Sequence, residues 1–218
     1  MRKWQLVLGV ITVMAFVLPA CREAFAHTKA AAKPKAQESC GFVTNIYGQR
    51  LSWKGQVPVV LHLHESVPEN VIPALKRALD TWAMILGRPI FQLAPERIKG
   101  PKGIETLKDG RNTIYYYQAG EWRDHRENQA KTYISWVHNE IKEADMLINA
   151  QDYHFSLAGF PKANEVDLES VFVHELGHVL GLDHEDQRTS VMATWLRDGE
   201  TRRSIGSRDK EAVACEYM

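Results

Sequence analysis

Three histidines stand at spacings that suit a metal centre. Residues 174–184 read H-E-x-x-H-x-x-G-x-x-H. Because His174 and His178 are four residues apart, a helix places both imidazoles on one face, where two nitrogens can bind one zinc ion at about 2.0–2.1 Å. Gly181 can adopt the positive φ that ends a helix, and the turn brings His184 back as a third ligand. Three histidines leave one position on zinc open for water, which is typical of a catalytic site.

Glu175 directly follows the first of these histidines. From there its carboxylate can reach a water on the same metal, so we predict that Glu175 is the general base of a hydrolytic reaction. The competing interpretation is an amphipathic helix that carries histidines by chance. A bare H-E-x-x-H occurs by accident, but the added glycine and third histidine make an accidental match far rarer. The stretch therefore indicates a zinc hydrolase.

Several predicted elements must hold this stretch in place. Apolar residues at helical spacing predict an active-site helix over about residues 168–180, with Asp167 as its N-cap. A long amphipathic helix is predicted over residues 70–86, and a C-terminal helix over residues 207–217 with Ser207 as its N-cap. Strand patterns cover residues 57–64, 89–94, 113–117, 132–137 and 144–149.

Three further histidines are not predicted to bind metal. His62 and His64 share one face of the first predicted strand, and no further ligand stands beside them. We therefore assign them to the outward polar face of that strand. His125 lies in a run of charged residues and is expected to be solvated.

The composition excludes several functional classes. The chain has 218 residues with 44% hydrophobic content, which is enough for one globular domain with a substantial core. The 27 basic and 27 acidic residues give a formal net charge of zero. No charge field therefore indicates nucleic acid as a partner. We expect a single monomeric catalytic domain over residues 40–218.

The N-terminal segment has the pattern of a signal peptide. A basic start is followed by apolar residues 6–18, a stretch too short for a comfortable membrane span. Residues 24–26 form an A-x-A cleavage site. This site predicts a signal peptide over residues 1–26 and His27 as the new N-terminus.

A second processing site competes with the first. Residues 18–21 read L-P-A-C and resemble a bacterial lipobox, which predicts a signal peptide over residues 1–20 and a lipid anchor on Cys21. The proline is unusual for a lipobox, whereas the cysteine directly after the apolar stretch favours one. Either site predicts export, as a secreted, periplasmic or lipid-anchored protein. The Ala/Lys-rich residues 27–39 then form a flexible tether.

The zinc motif resembles that of the metzincin proteases, which continues to a methionine in a tight turn beneath the metal. Met192, in the stretch S-V-M-A-T, is the matching residue. Within the metzincins, the matrixins are most similar, because residues 144–149, 167–173 and 205–217 resemble matrixin elements. The resemblance implies an α+β fold in which a twisted mixed sheet packs with a long helix, an active-site helix and a C-terminal helix.

The chain also departs from the matrixin pattern. Glu185 follows the third histidine, where matrixins usually have serine or threonine and where astacins or adamalysins have an acidic residue. Thr194 stands in the place of the astacin tyrosine, so no tyrosine ligand is expected. The loop that holds the second, structural zinc of matrixins is not recognisable in residues 149–164, so we predict one zinc ion. Asp145 and Asp152 could bind calcium, but we do not predict a calcium site.

The resemblance implies a zinc endopeptidase that acts on proteins or peptides. The three histidines of the motif would hold one Zn²⁺ ion beside Glu175. An extended peptide would add a strand alongside residues 144–149, and residues 193–203 would wall the pocket for the side chain after the cut. The alternative is a non-catalytic zinc-binding module on a protease fold. Its usual signature is a lost glutamate, and Glu175 is present.

Cys40 and Cys215 remain as a pair once Cys21 is removed or lipidated. In an exported protein they can form a disulfide that closes a long loop and joins the two ends of the domain. The alternative is that Cys40 is an inhibitory thiolate on the zinc, as in the propeptides of animal matrix metalloproteases. The residues beside Cys40 do not match that propeptide motif, so we predict the disulfide.

Overall fold

The computed structural model of the chain describes residues 39–103, 106–185 and 187–218. The predicted signal peptide, both of its processing sites and residues 27–38 of the predicted tether lie outside the described residues. The described residues belong to one compact unit. None of the helices in this described part is both long and apolar enough to cross a membrane.

A five-stranded mixed sheet forms one layer of the fold, in the order β2-β1-β3-β5-β4. Neighbours pair in parallel except β4, which is antiparallel to β5 and forms one edge of the sheet. A short parallel pair, β6 with β7, precedes the second helix. The strands are β1 Val59–His64, β2 Phe91–Ile98, β3 Asn112–Tyr117, β4 Ala130–Val137, β5 Glu140–Asn149, β6 Phe155–Ser156 and β7 Val166–Asp167.

Three α-helices accompany the sheet: α1 Ile72–Leu86, α2 Leu168–Val179 and α3 Ser207–Tyr217. The predicted α+β fold class is therefore confirmed. A 3₁₀ turn over Glu69–Val71 leads into α1, and Gly87, with φ of 65°, ends it. The predicted N-cap of α2 is also confirmed, because the Asp167 carboxylate accepts a hydrogen bond from Ser170 N at 2.9 Å.

Two local predictions are wrong. Gly206, not Ser207, is the N-cap of α3, and its N–H donates to the Asp209 carboxylate at 2.9 Å. His64 does not lie on an outward polar face, because only 3% of it is exposed. Its ring nitrogens contact Ser66 Oγ at 2.9 Å and Gly100 O at 3.0 Å. The chain after β2 covers the end of β1, which a strand pattern alone does not reveal.

The core fixes α2 against α1. Trp82 of α1 is completely buried, and its indole N–H donates to the backbone oxygen of Val173 at 3.0 Å. Ten of the twelve residues of α2 are buried. A helix buried on nearly all sides has little freedom to rotate, because protein interiors are close-packed. The residues that α2 carries are therefore held at fixed positions.

The end of α2 is tied to both ends of the domain. Trp53 Nε1 donates to Val179 O at 2.8 Å, and the Tyr217 hydroxyl donates to Leu180 O at 2.6 Å. These bonds satisfy carbonyls that have no partner within the helix. Gly181 follows with φ of 96°, and a Cβ there would overlap the backbone oxygen of Leu51. Only glycine therefore fits this turn without a backbone shift.

The predicted disulfide between Cys40 and Cys215 is confirmed. It joins residues separated by 175 positions, so it closes most of the described chain into one loop. Closing such a loop restricts the unfolded chain and stabilises the folded state by roughly 2–5 kcal/mol. Cys40 is thus not available as a thiolate ligand, and the alternative of an inhibitory thiolate is wrong.

Candidate metal centre and active site

The structure brings the three histidines of the motif together. His174 and His178 lie on one face of α2, and His184 follows the turn at Gly181. The Nε2 atom of His178 lies 3.0 Å from Nε2 of His174 and 3.2 Å from Nε2 of His184. Two nitrogens bound to one tetrahedral zinc ion at about 2.0–2.1 Å lie roughly 3.3 Å apart. The spacing of the three nitrogens thus fits a single zinc ion.

Backbone carbonyls orient two of these imidazoles. Nδ1 of His174 lies 2.8 Å from Val191 O, and Nδ1 of His178 lies 2.8 Å from Leu182 O. A carbonyl only accepts a hydrogen bond, so each Nδ1 carries the proton and each Nε2 presents a lone pair. Lone pairs at these distances repel unless a cation lies among them. The donor set therefore fits a metal, and carbonyl support of this kind is typical of metal-binding histidines.

The pKa values of the imidazoles favour their neutral, ligating form. Burial lowers the pKa of His174 to about 4 and that of His178 well below its usual value. Burial also lowers the pKa of His184, although Asp183 opposes this effect. Since a protonated imidazole cannot bind zinc, the three side chains are ready to bind it at neutral pH. Among the described residues, these three form the group whose geometry could hold a metal ion.

Glu175 lies beside the three histidines, on the side that faces the edge strand. It is 5% exposed, and burial raises the pKa of its carboxyl to about 7, an effect that a hydrogen bond from Thr132 opposes. Thr132 Oγ1 of β4 donates to Glu175 Oε2 at 2.5 Å. The carboxylate is thus held by a neighbouring element, and its raised pKa suits a group that accepts and returns a proton near pH 7.

Met192 lies beneath α2. It is 2% exposed, and a Cβ at Gly177 would overlap its sulfur atom. The turn that carries Met192 is held by Asp209 of α3, whose carboxylate accepts bonds from Ser190 Oγ and from Val191 N. Since Val191 O orients His174, Asp209 supports the candidate metal centre through the turn.

An ion pair fixes the start of α2. Asp167 is fully buried and accepts bonds from Arg203 Nε at 2.8 Å and Nη2 at 2.5 Å, besides its bond to Ser170 N. A buried carboxylate with this many donors is satisfied, whereas loss of one partner leaves a charge unpaired in the interior. The loop after Met192 is thereby linked to the helix that carries the histidines.

The loop over residues 193–203 contacts the start of the edge strand β4. Gln129 Nε2 donates to Leu196 O at 2.9 Å and connects the start of β4 to this loop. Leu196 packs on the core, whereas half of Trp195 is exposed. The prediction that a peptide lies alongside residues 144–149 is wrong, because β5 is paired on both sides and the sheet edge beyond it belongs to β4.

Other carboxylates near the predicted site bind protein groups. Glu185 lies 3.6 Å from Arg208 of α3. Asp145 is 1% exposed and accepts a bond from Thr113 N at 2.9 Å, and burial raises the pKa of its carboxyl to about 8. Asp152 pairs with Arg126 at 2.8 Å.

Sequence reasoning did not identify three supporting residues. Thr132 holds the Glu175 carboxylate, 43 positions away in the chain. Arg203 binds Asp167 at the start of α2, 36 positions away, and Asp209 binds Ser190 of the methionine turn, 19 positions away. Each residue type is common on protein surfaces, and no spacing pattern connects it to its partner. The only local signal was an acidic residue in the first turn of α3.

The chain is similar to one family model and to several known proteins. A family model described as Matrixin matches residues 106–218, more than half of the chain. Metalloendoproteinase 2-MMP of Arabidopsis thaliana is 40% identical over 52 residues, which cover 24% of this chain and 14% of the relative. Metalloendoproteinase 5-MMP of the same plant is 38% identical over 57 residues, which cover 26% and 16%. An "Immunity protein" of Bacillus phage SPbeta is 30% identical over 90 residues, which cover 39% and 42%.

Proposed function

Because the chain belongs to the matrixin family, we propose that it is a zinc-dependent endopeptidase that hydrolyses peptide bonds in proteins. The chain spans less than a fifth of the two plant metalloendoproteinases that it matches. The observation that carries the proposal is therefore the site itself. Three imidazole nitrogens converge at distances suited to one zinc ion, with a buried glutamate beside them.

Each polar side chain of the site has a role in this reaction. His174, His178 and His184 would hold Zn²⁺, which when bound supplies Lewis acidity that activates water and polarises the scissile carbonyl. Glu175 accepts a proton from the attacking water and returns it to the leaving amine. Thr132 holds the Glu175 carboxylate against β4 through its hydrogen bond.

The substrate binds as an extended strand along β4. The free edge of β4 offers backbone N–H and C=O groups, and a peptide that adds to such an edge aligns its own backbone without regard to sequence. Thr132 of the same strand contacts Glu175, so a peptide on this edge passes beside the base. The loop over residues 193–203 faces β4 and lines the pocket for the side chain that follows the cut.

A zinc titration tests the proposed activity. Protein freed of metal by a chelator should not degrade casein, and activity should return in proportion to added zinc up to one ion per chain. Magnesium at the same concentration should restore nothing, because its preferred ligands are oxygen atoms. Stoichiometric zinc binding without cleavage of any substrate would instead support a non-catalytic zinc-binding module.

The protein is also proposed to act after export, as a secreted, periplasmic or lipid-anchored enzyme. The disulfide supports this proposal, because such bonds persist in oxidising compartments. Mass spectrometry of the mature protein should find either a lipidated Cys21 or a free His27 at the N-terminus. A mature chain that still begins at Met1 would contradict export through this segment.

A further inference from the structure

Arg202 connects α2 with the loop over residues 193–203, the two elements beside the pocket proposed above for the side chain after the cut. Its backbone N–H donates to Ser170 Oγ at 2.6 Å, on α2 one turn before His174. Its guanidinium donates from Nη1 to Ala193 O at 2.9 Å and from Nη2 to Trp195 O at 2.5 Å. The side chain therefore lies between the helix and the loop, within electrostatic range of His174, whose pKa it helps to lower.

The guanidinium of Arg202 has no carboxylate within bonding distance among the residues that the structure describes, although the nearby Glu200 and Asp209 raise its pKa. Both hydrogen bonds of the guanidinium go to neutral carbonyls, and Arg202 forms no ion pair with a described residue. Arginine remains charged at any ordinary pH and has five N–H donors, so several of these donors have no partner among the described residues. Arg202 is only partly exposed, and burial lowers the pKa of its guanidinium. A charge in this position gains from an anionic partner.

The nearby carboxylates are engaged elsewhere. Asp167 binds Arg203, and Asp209 binds the methionine turn. Glu200 lies 3.7 Å from Arg188 at the surface. Glu200 and Asp209 therefore offset the charge of Arg202 only from a distance, and a substrate carboxylate in direct contact with the guanidinium can add to that.

We propose that Arg202 makes this pocket selective for an acidic side chain, so that the enzyme cuts on the amino side of aspartate or glutamate. The proposal rests on the proposed endopeptidase function. A peptide that lies along β4 points alternate side chains toward the loop, and the residue after the scissile bond enters the space that Arg202 closes. A carboxylate there can form two parallel bonds with a guanidinium. An amide of the same size forms weaker bonds, and an aliphatic side chain leaves the charge unpaired.

Guest peptides test this selectivity. Host decapeptides of alanine and glycine carry one central Glu, Gln, Leu or Lys, and the rate of cleavage before that residue is measured. The wild-type enzyme should cleave the Glu peptide roughly tenfold or more faster than the Gln peptide. Arg202→Ala should bring the two rates within about threefold of each other, mainly by slowing the Glu peptide. Arg202→Glu should prefer the Lys peptide.

A control separates selectivity from support of the loop. Arg111, directly before β3, is an exposed arginine that contacts neither carbonyl, so Arg111→Ala should change the Glu/Gln ratio less than twofold. Equal wild-type rates for Glu and Gln peptides would overturn the proposal, as would an Arg202→Ala variant that slows both equally.

If Arg202→Ala unfolds in a thermal melt, Arg202→Lys should retain the acidic preference. If no peptide is cleaved, the proposed endopeptidase function fails instead. Binding of the Glu and Gln peptides to zinc-loaded protein then tests the pocket: tighter binding of the Glu peptide supports acidic selectivity, and equal binding contradicts it.

Discussion

Glu175→Gln is expected to lower kcat for peptide hydrolysis by roughly 10²–10⁴-fold, because glutamine cannot accept the proton of the attacking water. The amide has the size of the carboxyl and can still accept the hydrogen bond from Thr132. Burial already favours the neutral form of the Glu175 carboxyl, whose pKa is raised to about 7 without metal. The substitution should therefore leave the fold and the three histidines unchanged.

Steady-state kinetics with metal analysis of the same samples measures this effect. The variant should bind one zinc ion per chain and melt within a few degrees of the wild type. Glu211→Gln, on the exposed side of α3, is a matched control that should keep wild-type kcat. Substantial hydrolysis by the zinc-loaded Glu175→Gln variant would show that another group acts as the base.

His178→Ala is expected to abolish both zinc binding and hydrolysis. Nε2 of His178 is close to the nitrogens of both other histidines, so its removal leaves two imidazoles that cannot complete a stable site. Loss of a group that merely supports a ligand costs about 10–100-fold in metal affinity or activity. Loss of the ligand itself should cost more than that.

Competition with a chromogenic zinc chelator gives the dissociation constants for this comparison. His125→Ala removes an exposed histidine from a charged loop and should leave the zinc affinity within about twofold of the wild type. Thermal unfolding with and without zinc provides a second readout, because an ion that binds only the folded protein raises the free energy of unfolding. If folded His178→Ala protein bound zinc as tightly as the wild type, the metal would bind at a site other than the three histidines.

The sequence allowed prediction of those parts of the site whose geometry is local. A spacing of four on a helix brings His174 and His178 together, and a glycine turn returns His184, so one short stretch contains the whole triad. The cap at Asp167 and the end of α1 at residue 86 were predictable for the same reason. Residue type and backbone conformation are linked strongly at these positions.

The parts that could not be predicted depend on the order of strands. The pattern of residues 144–149 indicated a strand but not its neighbours, and β4 proved to cover the edge where a peptide was expected. For the same reason, we predicted a surface position for His64, which is in fact buried. Thr132 and Arg202 have their roles only because distant segments meet, at separations of 43 positions from Glu175 and 32 from Ser170. Nothing in their own local sequence indicates these contacts.

The claim that this site hydrolyses peptide bonds is tested most directly by digestion of a proteome-derived peptide library. Zinc-loaded wild-type protein and zinc-loaded Glu175→Gln protein are incubated with the library, and new peptide N-termini are counted by mass spectrometry. The account predicts many new N-termini with the wild type, few with the variant and none when zinc is removed by a chelator. Equal numbers from both zinc-loaded proteins, or none from the wild type, would contradict it.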